Sequence, residues 1–177
     1  MKIQTASGRW VDPLAPVVEH LVVEDVAHAL AQLARFGGHG RLSDEGFSWT
    51  VALHSVEVAR RLERAGHPRE VVRCGLMHDA TEAYLVDVPR PVKARLPEYR
   101  AVEDGLWRAL ATRFSLPAVI PPAVHQADTE QLYVEAVHFM NADGWDVPAA
   151  LRSEPRPSVL SPSAARGLFL AEFARLS

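Results

Sequence analysis

The chain has 177 residues, a formal net charge of −3 and a pI near 6.2, with 48% hydrophobic and 23% charged residues. This size and balance are typical of one compact domain with a single hydrophobic core. The slightly acidic charge argues against a protein whose main role is to coat nucleic acid or an anionic membrane, so neither is an expected partner.

The chain carries a single cysteine, Cys74, and no long apolar segment. One cysteine excludes an internal disulfide and every cysteine-rich zinc module, which suits a reducing compartment. Cys74 lies in an apolar run, and we predict that it is a buried structural thiol. No stretch approaches the roughly 20 apolar residues of a membrane span, and the first residues lack an apolar signal core. We therefore expect a cytoplasmic protein.

The N-terminal part of the chain predicts a small β-hairpin and a first helix. Ser7-Gly8 is a turn between two short strand-like stretches within residues 1–20. Residues 24–36 then carry apolar side chains at helical spacing, and Gly37-Gly38 ends the run.

Two further helices are predicted next. Ser48 is a suitable N-cap for the second helix, which ends at Gly66. Pro68 suits the first position of the third helix, which we expect to continue through Glu82 to Leu85.

The remaining chain alternates proline-rich breaks with helical patterns. Residues 88–91 predict a proline-stiffened loop, because proline fixes φ and does not fit inside a helix. Further helices are predicted over 98–114, from Pro122 to about 141, and over 164–176, with a proline-rich connection after Gly144. With no internal repeat and no βαβ alternation, we predict an all-α fold of one domain, a bundle of about six helices with an N-terminal β-hairpin.

Four side chains from three predicted helices have the chemistry of a metal site. His54 lies on the second helix, His78 and Asp79 near the end of the third, and Asp128 on the fifth. Two imidazoles and two carboxylates suit one divalent cation among Mn, Co, Fe, Ni, Zn and Mg, and spacing does not choose between these metals. Such a cation keeps positions open for water and a phosphoester oxygen. Glu82 lies one helical turn beyond His78, so its carboxylate can face what the metal activates.

The order of these residues resembles the HD-domain phosphohydrolase superfamily, and within it the small bacterial and phage hydrolases that include the 5′-deoxynucleotidases. Their pattern HD-A-[ST]-E followed by D-[LV]-P-x-P-x-K is similar to His78, Asp79, Ala80, Thr81, Glu82, Asp87, Val88, Pro89, Pro91 and Lys93. An Arg-aromatic pair and a Q-A-D segment of the family match Arg35-Phe36 and Gln126-Ala127-Asp128. The resemblance covers about residues 25–135 and implies a single HD domain that forms a homodimer.

The resemblance also implies roles for single residues. The metal ligands would be His54, His78, Asp79 and Asp128. Glu82 would position or deprotonate the attacking water. Asp87, in the same loop as Pro89, would accept a hydrogen bond from the sugar 3′-hydroxyl. Glu82 and Asp87 could instead only brace this loop.

Phosphate and sugar selection fall to a second group of residues. Arg35 would bind phosphate, with Lys93 as a further candidate; Arg35 could instead neutralise the C-terminal dipole of the first helix. Phe36 would crowd a ribose 2′-hydroxyl. The family's aromatic residue is typically Trp, whereas Phe36 cannot donate a hydrogen bond, which leaves the strictness of deoxyribose selection open. His39 is expected near the substrate because its loop follows Arg35.

These expectations define a metal-dependent phosphohydrolase with a metal-bound water as the nucleophile. The expected substrate is a deoxynucleoside 5′-monophosphate, which would yield nucleoside and phosphate. Binuclear HD phosphodiesterases need further His ligands between the HD pair and the final Asp, and only His125 lies in that interval here, so the resemblance implies one metal. Two alternatives stay open: a deoxynucleoside triphosphate triphosphohydrolase, and a non-catalytic nucleotide-binding scaffold whose metal stabilises the fold.

Overall fold

The computed structural model describes residues 2–177 and shows a mostly helical protein. Six of the helices in this range span nine residues or more, in agreement with the predicted all-α class. In chain order the elements are β1 (Ile3–Gln4), β2 (Trp10–Val11), α1 (Val23–Gln32), α2 (Val51–Arg64), α3 (Arg69–Met77), α4 (Glu82–Leu85), α5 (Arg90–Lys93), α6 (Pro97–Phe114), α7 (Pro122–Phe139), α8 (Ala149–Arg152) and α9 (Pro162–Leu176).

The predicted N-terminal hairpin is confirmed. β1 and β2 pair antiparallel, with Ile3 opposite Val11. The hairpin is fastened to α1 by the buried carboxylate of Asp25, which accepts hydrogen bonds from the Thr5 hydroxyl at 2.8 Å and from the Ser7 amide and hydroxyl at 2.8 and 2.7 Å. These bonds satisfy a charge that would be costly to bury alone.

The sequence predicts that the first helix ends at residue 36, which is later than the structure shows. α1 stops at Gln32, and the chain then pairs in an isolated β-bridge between Ala34 and Thr50. The predicted N-cap Ser48 is also wrong, because Thr50 caps α2 and its hydroxyl accepts from the Leu53 amide. Both errors have one cause: the bridge takes the backbone polar groups on either side of it out of reach of a helix.

The third predicted helix is interrupted at the residues of greatest interest. α3 ends at Met77, and the next amides turn to carbonyls three residues back, from Ala80 to Met77 and from Glu82 to Asp79, both at 2.9 Å. This 3-10 geometry is tighter than an α-helix and separates α3 from α4. The predicted loop 88–91 also needs correction, since it contains the start of α5, with proline in its first turn.

The core places three helix segments side by side. α2 packs against α3 and α7, and α9 covers α1, α2 and α3. The α2–α3 contact depends on Gly75, since a Cβ there would lie 2.3 Å from Leu62 Cδ1. Close approach of these helices brings His54, in the first turn of α2, next to His78, which directly follows α3, with the two ring centroids 5.3 Å apart. Cys74 is fully buried, as predicted. None of the helices in residues 2–177 is long and apolar enough to cross a membrane.

Candidate metal centre

His54, His78 and Asp128 form a group that can hold a metal ion. One ligand atom from each lies within 4.8 Å of the others. The distances from Asp128 Oδ1 are 3.2 Å to His54 Nε2 and 3.9 Å to His78 Nε2. Both histidines are buried and the Asp128 side chain keeps 13% exposure, so the group is largely sheltered from solvent but open on one side.

The orientation of both imidazole rings fits metal ligation. His54 Nδ1 lies 2.6 Å from Glu135 Oε1, and His78 Nδ1 lies 2.8 Å from the Gly75 carbonyl oxygen. Because these partners only accept, each Nδ1 carries a hydrogen and each Nε2 remains to bind a cation. Both Nε2 atoms are buried, and within the described residues neither has a hydrogen-bond partner. Unpartnered imidazole nitrogens beside a carboxylate oxygen fit a divalent cation.

The electrostatics around His54 also involve its neighbours. Burial and Arg35 lower the pKa of His54, but Glu135 and Asp128 outweigh them and raise it to about 9. Without a cation the ring is therefore protonated at neutral pH. A bound cation must displace that proton, as is general for imidazole ligands.

Asp79 borders the group without being one of its three members. Asp79 Oδ1 lies 3.3 Å from His78 Nε2, and its Oδ2 lies 3.7 Å from both His54 Nε2 and Arg35 Nη1. Its carboxylate therefore lies within 4 Å of both imidazoles and of the guanidinium. This is the position that a fourth ligand or a ligand-orienting group requires.

Glu82 lies beside the centre in a nearly dry environment. The side chain is 6% exposed, and Oε2 is among the buried atoms without a hydrogen-bond partner. Burial, Asp79 and Asp87 raise the pKa of Glu82 well above its ordinary value, against the lowering effect of Arg35 and Lys93. A carboxyl group in such a place holds a proton more readily than an exposed one.

Arg35 reaches the centre from a turn that follows α1. Its Nη1 contact with Asp79 is accompanied by a contact of 3.4 Å between Nε and Glu135 Oε2. The turn Arg35–Gly38 holds Phe36 and Gly37 at φ 57° and 59°, in the left-handed region that non-glycine residues rarely adopt. Arg35 lies three residues beyond Gln32, the last residue of α1, and does not cap that helix.

A single cavity of about 910 Å³ joins most of the predicted site residues. Predicted residues in its wall are Arg35, Phe36, His78, Asp79, Glu82, Asp87, Pro89, Lys93 and Asp128, and the wall also includes Arg90, Glu103, Asp104, Trp107 and Arg108. His54 lies behind the wall. His39 is exposed and does not line the cavity.

Lys93 is less available than its position in the sequence motif suggests. Its ammonium donates to Glu103 Oε1 at 2.7 Å and lies 4.0 Å from Glu82 Oε1. Glu103 therefore neutralises much of the charge that a phosphate would meet. Asp87 is half-buried in the same wall, and burial raises its pKa, against the lowering effect of Arg35.

Glu135 is the functional residue that sequence reasoning missed. It is fully buried and bridges His54 Nδ1 and Arg35 Nε. Burial acts to raise the pKa of Glu135, but His54 and Arg35 outweigh it and hold the pKa below its ordinary value. Glu135 follows Asp128 by seven residues, which is two helical turns, and this spacing was the available signal that both side chains share a face of α7.

The turn between α4 and the cavity loop is strained. Val86 has φ 63° and ψ 162°, a conformation that is almost exclusive to glycine. The Val86 carbonyl accepts from the Tyr99 hydroxyl at 3.0 Å, and Val86 as a whole is 56% exposed. This backbone conformation at Val86 directs the chain so that the next residue, Asp87, lies in the cavity wall.

The fold and this group of side chains define a mostly helical protein with a candidate metal centre. No protein-family profile matches the sequence. The chain is 33% identical over 181 residues to the uncharacterized protein YfdR of Escherichia coli (strain K12), covering 99% of this chain and 95% of YfdR. It is 37% identical over 137 residues to the uncharacterized protein RCAP_rcc00048 of Rhodobacter capsulatus, covering 73% of this chain and 68% of that protein. The chain belongs to the same family as YfdR.

Proposed function

We propose that this protein is a metal-dependent phosphohydrolase of the HD type that converts a deoxynucleoside 5′-monophosphate to nucleoside and phosphate. One observation carries the proposal. The unpartnered Nε2 atoms of His54 and His78 lie beside Asp128, and the unpartnered carboxyl oxygen of Glu82 lies in the same cavity as Arg35. A metal site, a proton-transfer group and an anion-binding group are thus combined in one place.

The cation would be held by His54, His78 and Asp128, with Asp79 as the fourth ligand. Nitrogen and oxygen donors without sulfur suit Mn, Co, Fe, Ni, Zn or Mg. When bound, such a cation lowers the pKa of water and stabilises the charge that builds on phosphorus. The described residues contain such a donor group in His54, His78 and Asp128, and the proposal needs one metal per site.

Glu82 would move the proton in the reaction. Its carboxylate accepts a proton from the attacking water, and the same group then donates to the leaving sugar oxygen. The environment of Glu82, shielded from solvent and close to Asp79 and Asp87, favours the protonated form that the second step needs. Lys93 Nζ, 4.0 Å away, opposes this effect.

Arg35 would bind the phosphate oxygens. A guanidinium presents donors in a planar fork that matches two oxygens at once. Glu135 and Asp79 contact Arg35 at 3.4 and 3.7 Å, and these contacts hold the guanidinium at the metal end of the cavity. The phosphate end of the substrate is therefore expected between Arg35 and the metal group.

The sugar would lie next to the phosphate end, between Phe36 and Asp87. Both residues line the cavity that contains Arg35. Asp87 can accept from a 3′-hydroxyl, and the ring of Phe36 can occupy the space that a ribose 2′-hydroxyl requires. The cavity of about 910 Å³ falls within the range of about 300–1,000 Å³ that is usual for small-molecule sites.

The proposal is tested with purified protein loaded separately with each candidate metal. A panel of ribo- and deoxynucleoside mono- and triphosphates is incubated with each sample, and phosphate and tripolyphosphate are quantified. We expect phosphate from deoxynucleoside monophosphates. Tripolyphosphate from triphosphates would favour the alternative reaction, and metal binding without any turnover would favour the scaffold.

The matched variant is Glu82→Gln, which preserves size but cannot exchange a proton. We expect its metal content to equal that of the wild type, and kcat to fall by about 10²–10⁴-fold, the usual contribution of general acid–base catalysis. Unchanged turnover in Glu82→Gln would contradict the role given to this residue.

A further inference from the structure

Arg90 makes an unexpected contact with the candidate metal centre. Its Nη2 donates to Asp128 Oδ2 at 2.5 Å, although Arg90 lies on the short helix α5 and its side chain is 60% exposed. The partner is the outer oxygen of Asp128, since the inner oxygen, Oδ1, faces the two imidazoles. Arg90 and a cation would therefore use different oxygens of one carboxylate and do not compete.

The contact completes a pattern around the two aspartates. Asp79 has Arg35 beside it at 3.7 Å, and Asp128 has Arg90 beside it. Arg35 is 11% exposed and belongs to the buried side of the site, whereas Arg90 stands at the open side. Two guanidinium groups thus border the position that lies between the carboxylates.

The charges in the cavity wall indicate a role for Arg90. A phosphate dianion entering the cavity meets the carboxylates of Asp79 and Asp87, which repel it. Lys93 offsets little of this repulsion because Glu103 already accepts from its ammonium at 2.7 Å. Arg90, in the same loop, reaches the candidate metal centre through its contact with Asp128, and its side chain is 60% exposed. It occupies a position that the D-[LV]-P-x-P-x-K pattern leaves variable.

We propose that Arg90 is a second phosphate-binding residue, which acts with Arg35 and grips the substrate phosphate from the open side of the cavity. This inference rests on the proposed function for the identity of the substrate, but it concerns phosphate recognition and has its own test. Asp128 positions the guanidinium, and the remaining donors of Arg90 are available for phosphate oxygens. The chemical class recognised is a phosphate monoester dianion.

The test compares Arg90→Ala and Arg90→Lys with Arg95→Ala. Arg95 is an exposed arginine of the same segment that does not line the cavity, which makes it a matched control. Binding of inorganic phosphate to the metal-loaded protein is measured by titration calorimetry, metal content by elemental analysis, and nucleotide hydrolysis as KM and kcat. Calorimetry does not depend on turnover.

We expect Arg90→Ala to weaken phosphate binding and to raise KM by about 10- to 100-fold, the loss of a charge-assisted hydrogen bond, with a smaller change in kcat. Arg90→Lys should recover part of the loss, and Arg95→Ala should behave as the wild type. Metal content should be equal in all four proteins.

Three results would overturn the inference. The first is phosphate affinity in Arg90→Ala equal to that of Arg95→Ala. The second is loss of metal from Arg90→Ala, which would assign Arg90 to holding Asp128. The third is an absence of phosphate binding by the metal-loaded wild type. Phosphate binding that depends on Arg90, without hydrolysis of any nucleotide, would support the inference and refute the proposed function.

Discussion

The two sides of the candidate site are built in different ways. The inner side consists of side chains on α2, α3 and α7 that are buried and held by partners, such as His54 with Glu135 and His78 with the Gly75 carbonyl oxygen. The outer side, residues 86–93, is a short strained turn and a four-residue helix whose side chains are mostly exposed. Buried, oriented donors suit a cation that must not move, while an exposed loop suits a substrate that must enter and leave.

Removing the carboxylate of Glu135, on the inner side of the site, should have the largest effect on the free energy of unfolding. Glu135→Ala leaves His54 and Arg35 without the carboxylate that they share, and breaking a buried charge pair costs about 3–5 kcal/mol. We expect a loss of unfolding free energy of this order, measured by denaturant unfolding.

Metal affinity should fall together with stability in Glu135→Ala. The change should be about 10–100-fold, because a group that orients a ligand contributes by that amount. The control is Glu130→Ala, on the same helix but with a partly exposed side chain. It should lower the free energy of unfolding by no more than about 1 kcal/mol and leave metal affinity unchanged. Equal effects of the two variants would refute a special role for Glu135.

The next largest effect is expected from changing the distance between α2 and α3, on which the inner side depends. In Gly75→Ala the added Cβ would meet Leu62 Cδ1 at 2.3 Å, so the helices must separate or Leu62 must move. We expect a loss of about 1–3 kcal/mol from overpacking, together with weaker metal binding because the distance between His54 and His78 changes. Thermal unfolding with and without metal measures both effects.

Gly167→Ala on α9 is the control for Gly75→Ala. A Cβ at Gly167 has nothing within 4 Å, so it should gain about 0.5–1 kcal/mol of helix stability. Destabilisation by both substitutions would mean that helix spacing is not the cause.

Relieving strain on the outer side should have the smallest effect on stability. Val86→Gly should stabilise the folded state by relieving about 1–3 kcal/mol of backbone strain. It should also favour the unfolded state by about 0.5–1 kcal/mol, because glycine makes the unfolded chain more flexible, so we expect a net stabilisation of about 1 kcal/mol. Val86 as a whole is 56% exposed, which limits the packing that is lost. Val92→Gly, also exposed but within α5, should destabilise.

A combined measurement would sharpen the contrast between the sides. Val86→Gly should leave metal affinity unchanged, because the inner side does not depend on the path of the loop. A fall in metal affinity would show that the loop and the metal group form one unit. The melting temperature and a metal titration on the same sample decide this.

The sequence predicted the fold class for a local physical reason, because amphipathic periodicity identifies helices. The grouping of His54, His78 and Asp128 followed from their residue types on three predicted helices and from the resemblance to the HD pattern. Periodicity does not report where a helix meets another backbone segment. For that reason the end of α1 and the cap of α2 were misplaced: the bridge between Ala34 and Thr50 is a contact between segments distant in sequence.

Sequence alone determined which chemical groups the chain can offer, since imidazoles, carboxylates and guanidiniums are set by residue type. Tertiary structure decided how they are used. Packing of α7 against α2 made Glu135 the partner of His54 and Arg35. Glu103 on α6 engages Lys93, which leaves Arg90 to face Asp128. The charge of a side chain is set by its residue type, but its availability depends on which neighbours the fold brings within hydrogen-bonding distance.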